Sequence, residues 1–463
     1  MIAPRLLESI AQTPDPDRTL ANLSTVSDSL GGKGVLWELF QVNPATLNLS
    51  VKLCSNSPYL ITILTSYPGM IDELLDCLIL DQLPTKQSLQ KVMSALVKGA
   101  QIEGQELIDV ILAFKHAQHL RVGVREILGK DSLVDSHRAL SDIIEICLQE
   151  ISNEHYRQLV EKHGQPIIEG GSLHGENATP ILVGLGKLGG REPNFHSDVD
   201  VIFLYEGEGN TQPIKRNHKI RPTSNHHFFN EWAKRVLQTA TRTRPHGRLF
   251  DMDSKLRATH QHAPLAISLD DYETYLKGDR IPLWQSMGLC KARVLFGTDT
   301  AKSRIQTLIV KTIAASNQKP RLKSEIYQAR LDSEQGATDR NLKRFQGGTM
   351  DIEYIVQMLQ LLNGTAEDIQ QPGTLLALQK LQEHGLLNED DTTALSKSYL
   401  FLRRVESGLR LMDTTHRHDL PEHPLELEKL ASLLGYESPQ SLVTVCRRYR
   451  RDNRQRFEKI FNR

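Results

Sequence analysis

Three aspartates set the chemistry this chain could carry out. In GLGKLGGREPNFHSDVDVIFLY, residues 184–205, Asp198 and Asp200 flank a single apolar residue. Alternate side chains of a strand share a face, so both carboxylates point one way while Val199 and Val201 point into the sheet. At a separation of about 4 Å, two such charges repel by roughly 4 kcal/mol at an effective dielectric near 20. A proton or a cation must relieve that cost. Carboxylate oxygens suit Mg²⁺, which keeps several waters and takes substrate phosphates to complete its shell. The competing reading is a solvated D-V-D on an edge strand, where charge discourages aggregation. Upstream, Gly189 and Gly190 form a turn whose backbone N–H groups can approach phosphate oxygens, with Lys187 beside it. The stretch lacks the G-K-[ST] ending of a P-loop. Downstream, GRLFDMDSKLR repeats the alternation in Asp251 and Asp253, with Lys255 and Arg257 following. Asp253 is expected as a third carboxylate of the kind that two-metal phosphoryl-transfer sites use, and Asp251 as a surface strand residue.

These residues need a sheet, and the hydrophobic periodicity places one in mid-chain. ILVGLG and VDVIFLY are short apolar runs bounded by Gly, Asn and Ser, which read as buried strands. Between VDVIFLY and GRLFDMD, the positions Phe228, Phe229, Trp232, Val236 and Ala240 share one helical face. Before about residue 160 the period is helical throughout, as in Leu107, Ile111 and Phe114, then Leu120, Val124 and Ile127. It returns to helical beyond SNQKPR, with Ile352, Ile355, Val356 and Leu359 in one helix and Leu402, Val405, Leu409 and Met412 in another. The expected fold is mostly α with a central α+β domain, a small mixed sheet flanked by helices. The expected domains are an all-α segment over 1–160, a catalytic domain over 161–315 and a helical bundle over 316–463.

Composition narrows the class. Lys plus Arg and Asp plus Glu are equal at 56 each, so there is no general electrostatic pull toward nucleic acid or anionic lipid. No apolar run approaches a membrane span, and the N-terminal MIAPRLLESIAQTPDPD has no leader-like apolar stretch. The five cysteines are scattered with no C-x-x-C pair, as reduced structural thiols would be. Cytoplasmic residence is the expectation.

A strand, a Gly-Gly turn, D-h-D (h apolar) and a later strand Asp together resemble the DNA polymerase β nucleotidyltransferase superfamily. More narrowly, GLGKLGGREPNFHSDVDVIFLY, GRLFDMDSKLR, LWQSMGLCKARVLFG, NLKRFQGGTMDIEYIVQ and YLFLRRVESGLRLM resemble one half of glutamine synthetase adenylyltransferase. The preceding FKHAQHLRVGVREILG is similar to the helical segment ahead of a catalytic half, so the resemblance runs over nearly the whole chain. It implies transfer of AMP from ATP to a tyrosine of glutamine synthetase, under control of a PII signalling protein. Family members carry two halves, one adenylylating and one removing AMP by phosphorolysis. This chain has one D-h-D set, which implies one activity, and GGTMDIE with GRLFDMD is more similar to the adenylylating half. By carry-over, Asp198 and Asp200 would hold Mg²⁺ on the triphosphate, and Ser197, Gly189 and Gly190 would position phosphates. Asp253 would share the metal set and orient the tyrosine hydroxyl, while Lys187, Lys255 and Arg257 would offset developing charge. Two departures stand out. The family's D-x-R-L-R-P-S-G is here Asp253-Ser254-Lys255-Leu256-Arg257-Ala258-Thr259-His260, and its W-E is Trp284-Gln285. Lys255 lacks the bidentate fork of arginine and Gln285 lacks a charge. They keep open a non-catalytic module that binds PII or glutamine synthetase.

Other features have plainer readings. Asp351 and Glu353 open a helix after Gly347-Gly348, where the macrodipole favours acids and the resemblance offers a role in the catalytic cleft. The pairs His260/His262 and His416/His418 lack partners in the sequence to complete a tetrahedral metal set. The arginines of CRRYRRDNRQRFEK are expected on a solvated face, residues 206–225 as a mobile basic loop, and Trp284 in the core.

Overall fold

The computed structural model describes residues 2–30, 33–71, 82–213, 221–253, 264–278, 281–317, 321–364, 367–412 and 418–462. Among the described residues, seven strands lie among helices: β1 (Gln165–Pro166), β2 (Pro180–Gly184), β3 (Val199–Tyr205), β4 (Thr211–Gln212), β5 (Met252–Asp253), β6 (Ala266–Ser268) and β7 (Arg293–Phe296). The main sheet runs β5-β3-β2-β7, with β6 also on β3, while β1 and β4 pair separately. β2 is antiparallel to β3 and β7; β3 is parallel to β5 and β6. The edge-strand reading of D-V-D is therefore overturned, because β3 has neighbours on both sides. The mostly α architecture with a small mixed sheet is as the periodicity predicts.

Alternation along β3 sets the strand between two of the hydrophobic cores. Val199, Val201, Phe203 and Tyr205 pack with the Pro58–Ser66, Leu107–Ile127, Leu133–His163 and Asn225–Thr241 helices in one core. Ile202 and Leu204 join Ile181 and Val183 in a second core. That core continues into the Asp299–Ser316, Thr349–Leu362, Glu389–Met412 and Pro439–Phe461 helices. The Asn225–Thr241 helix shows how sequence produces this packing. Ser224 accepts from the His227 N–H at its start, and Phe228, Phe229, Trp232, Val236 and Ala240 are all 0% exposed. Phe229 stacks on Tyr205 of β3 with ring centroids 4.6 Å apart.

A buried polar joint ties the sheet to the C-terminal helices. The Glu192 carboxylate accepts from Lys291 Nζ at 2.9 Å, Thr374 Oγ1 at 3.1 Å and Tyr399 Oη at 3.0 Å. Arg403 donates to the Glu192 carbonyl and pairs with Glu406. Lys187 pairs with Glu353 and donates to Tyr399 Oη at 3.2 Å. Burial alone would raise the Glu192 carboxyl, but Lys291 and Lys187 outweigh it and hold it at about 2. The stability this contributes is present above the ordinary value of 4.5 and is lost as pH falls from 4.5 toward 2. Glu192→Gln leaves a buried cation uncompensated, so denaturant titration should show a loss of about 3–5 kcal/mol at neutral pH. Its stability should also fall less steeply than that of the parent chain across that acid window.

Candidate active site

The D-V-D strand is set by its flanks. Val199 and Val201 are 0% and 3% exposed, so the chain cannot slip by one residue without burying carboxylates. Asp198 lies exposed just ahead of β3 and Asp200 is half-buried within it. The parallel register pairs Val199 with Met252 and Asp200 with Asp253, and the Val199 N–H donates to the Asp251 carbonyl at 2.8 Å. Positions 200 and 253 are thus neighbours in one ladder. The Asp253 side chain lies outside the described residues, as do Lys255, Arg257, His260 and His262. His196, two residues ahead of Asp198, has φ +56, a conformation that non-glycine residues seldom adopt and that bends the chain into the strand.

The glycine-rich turn is packed closely against its neighbours. Residues Gly186–Gly189 make one helical turn, and the Gly189 and Gly190 amides donate to the Leu185 and Gly186 carbonyls. Those two N–H groups are engaged within the turn. The lack of a side chain serves close packing: a Cβ would run into the Lys291 carbonyl at Gly189 and the Pro372 carbonyl at Gly190. Arg293 secures the turn, donating to the Gly189 and Leu188 carbonyls at 3.0 Å each and to Glu145 at 2.5 Å. The glycine nearest the chemistry is Gly186. It has φ +53, and any Cβ there would overlap Asp200 Oδ2.

Asp200 borders a cavity of about 210 Å³ whose walls include Gly186, Tyr272, Tyr275, Trp284 and Gln285. Trp284 is 50% exposed, which corrects its expected place in the core. It sits on the short Leu283–Leu289 helix, where Gln285 accepts from the Tyr275 hydroxyl. Aromatic faces beside a carboxylate can hold a planar ring next to a charged, cation-bound group. The run LWQSMGL gave no periodicity signal for this wall; an unburied Trp becomes visible only once the neighbouring helices are placed.

The remaining expected residues are distributed as follows. Lys187 turns into the polar joint, where burial lowers its ammonium to about 8 against the pull of Glu353. Ser197 Oγ accepts from the Asn194 N–H at 2.8 Å and so shapes the turn into β3. Asp251 pairs with Arg248. Asp351 is fully buried against Arg330 Nε at 2.6 Å and the Gly347 N–H at 2.9 Å, a structural role. The C-terminal arginines depart from the solvated-face reading in part. Arg450 is buried, Arg454 pairs with Glu334 and Glu458, and Arg456 pairs with Asp390 and Asp391. His418 pairs with Glu406, and His416 lies outside the described residues.

Asp198 and Asp200 offer an all-oxygen donor set that fits a hard divalent cation, with further ligands left for water and phosphate. Among the described residues, no group of three or more His, Cys, Asp or Glu side chains could hold a metal ion. No helix among them is long and apolar enough to cross a membrane.

A mixed sheet carrying D-h-D on a central strand, with a glycine-rich turn closing on its second carboxylate, defines a nucleotidyltransferase-like α+β core set among helices. The chain belongs to the glutamate-ammonia ligase adenylyltransferase family, whose model matches residues 47–308. A second family model, GlnD PII-uridylyltransferase, matches residues 319–462. Similar curated proteins are named bifunctional glutamine synthetase adenylyltransferase/adenylyl-removing enzyme. The one from Ralstonia nicotianae is 30% identical over 366 residues, covering 73% of this chain and 37% of the relative. That from Thioalkalivibrio sulfidiphilus is 27% identical over 442 residues, covering 93% and 45%. The chain spans less than half the length of these relatives.

Two glycine substitutions should separate the site from the scaffold. Gly186→Ala meets both a left-handed backbone and the Asp200 carboxylate, so it should lower unfolding free energy by at least about 1 kcal/mol. Gly99→Ala, within the Lys86–Glu103 helix and with nothing within 4 Å of its added Cβ, should raise it by up to about 1 kcal/mol.

Proposed function

We propose that this chain transfers AMP from ATP to a tyrosine of glutamine synthetase in a Mg²⁺-dependent reaction, and so regulates nitrogen assimilation in the cytoplasm. The observation that carries the reading is the placement of Asp200 between the Asp253 ladder position and the aromatic cavity, within the family-matched residues. Asp198 and Asp200 would hold the cation, which when bound supplies positive charge against the triphosphate oxygens. Trp284 and Tyr275 would face the adenine ring. Asp253 would orient the tyrosine hydroxyl and accept its proton as the oxygen attacks the α-phosphorus in line, with pyrophosphate as the leaving group. Lys255 and Arg257 would meet the charge that develops on the phosphate oxygens.

The second family match supports PII as the regulatory partner, since residues 319–462 resemble part of a protein named for acting on PII. The relatives' names also favour a second reading. They are bifunctional, and this chain spans less than half of each. In that reading phosphate attacks the phosphorus of the tyrosine-bound AMP, the P–O bond to the tyrosine oxygen breaks, and ADP is released with the tyrosine hydroxyl restored.

Incubation with ATP, Mg²⁺ and glutamine synthetase should add the mass of AMP to one tyrosine. Asp200→Asn should slow that transfer by about 10²–10³. Trp284→Ala should raise KM for ATP about tenfold, since stacking of a base on an aromatic ring contributes roughly 1–3 kcal/mol. ADP release from adenylylated glutamine synthetase with phosphate, and no forward transfer, would favour the second reading. Inertness in both directions, with PII or glutamine present, would sink both.

A further inference from the structure

On the side of the sheet that packs on the N-terminal helices lies a cavity of about 300 Å³, bounded by the Pro58–Ser66, Leu107–Ile127 and Leu133–His163 helices and by the turns that lead into β3 and β5. Three consecutive-turn residues of one helix line it, Lys115, His116 and His119, and they are only 8%, 7% and 4% exposed. The helix would gain more from apolar residues here unless the polar groups had a partner.

The partners present do not satisfy them. Lys115 Nζ donates to the Arg248 carbonyl at 3.2 Å and lies 5.4 Å from the Phe250 ring centroid; it takes part in no carboxylate ion pair among the described residues. One buried ammonium therefore keeps N–H capacity with no carboxylate in direct contact, Asp251 acting on it only at longer range. His119 Nδ1 lies 2.6 Å from Tyr59 Oη. Burial raises the Tyr59 hydroxyl and lowers the His119 imidazolium, so both groups are neutral, and Tyr59 has no other acceptor among the described residues. With the Tyr59 hydroxyl as donor to Nδ1, the remaining proton of a neutral His119 sits on Nε2. That Nε2 has no hydrogen-bond partner, nor has Nδ1 of His116. Asp251, the one carboxylate on the wall, is taken up by Arg248.

A buried cation, an unused imidazole N–H and a second imidazole nitrogen, with apolar walls from Leu140 and Ile144, define a recognisable chemistry. We propose that this cavity is a binding site for a small oxyanion, a phosphate or carboxylate head, seated between Lys115 and His119. The site is separate from the D-V-D face, and it does not depend on the chain transferring AMP. It does touch Ser197 and Asp251, each one or two residues ahead of a carboxylate of the candidate active site. An occupant would brace both turns at once, so the cavity is placed to report a metabolite to the strands that carry Asp200 and Asp253.

Calorimetric titration of the full chain with inorganic phosphate and, separately, with acetate tests this. At least one anion should bind at a single site with an affinity unchanged in Asp200→Asn and weakened at least tenfold in Lys115→Met and in His119→Phe. Lys115→Met should also melt at a higher temperature than the parent chain without anion, because a buried unpaired charge is removed, and its melting should no longer rise with phosphate or acetate. Phosphate alone would identify a phosphoryl ligand, acetate alone a carboxylate. Binding that survives Lys115→Met, binding lost in Asp200→Asn, or no binding of either anion would overturn the proposal. So would a lower melting temperature of anion-free Lys115→Met.

Discussion

One strand has to satisfy three surroundings at once. The backs of Val199 and Val201 press on the N-terminal helices, Ile202 and Leu204 press on the C-terminal ones, and at the same end Asp198 and Asp200 must leave both cores. Only a period of two meets all three demands, and only in one register. Much else follows from holding that register. β5 supplies a parallel neighbour, the turn at His196 accepts an uncommon backbone angle, and Arg293 anchors the glycine-rich turn to Glu145. Lys86 anchors Glu145 in turn, so the clamp reaches three elements distant in sequence.

Much of this was legible in the sequence because it rests on periodicity. The strands around ILVGLG and VDVIFLY, the buried face of Phe228 to Ala240 and the helices at both ends all appear where apolar spacing puts them. The carboxylates could be read as a pair because alternation is a local property. What escaped the reading is non-local. The service of Gly189 and Gly190 depends on carbonyls of Lys291 and Pro372, about a hundred and nearly two hundred residues away. Trp284 has an ordinary core signature, and its exposure is decided by how its short helix packs. The C-terminal arginines read as solvated because helical spacing spreads their charge, while their acidic partners at Glu334, Asp351, Asp390 and Asp391 come from other helices. Lys115, His116 and His119 break the apolar pattern of their helix without announcing where they face.

The family relationship and the geometry reinforce each other at different scales. Membership in the glutamate-ammonia ligase adenylyltransferase family rests on residues 47–308, which include the whole sheet. The departure at Gln285 falls in the wall of the cavity beside Asp200 without altering the strand register, and the one at Lys255 lies outside the described residues. Gln285 remains engaged, accepting from Tyr275 in the wall of the aromatic cavity, so the lost charge there is replaced by a neutral hydrogen bond.

The polar joint at Glu192 bears on how shorter pieces of the chain would behave. The change in composition near SNQKPR invites a cut there, yet Lys187 and Lys291 lie on the N-terminal side of that cut while Glu353, Thr374 and Tyr399 lie beyond it. A fragment ending at such a cut would strand two ammonium groups around one carboxylate and strip the sheet of the apolar cover that Ile352, Ile355 and Leu395 provide. A folded expression product that keeps the strands of the candidate site must keep the helices after them. The visible seam in the sequence is not a seam in the folded interior.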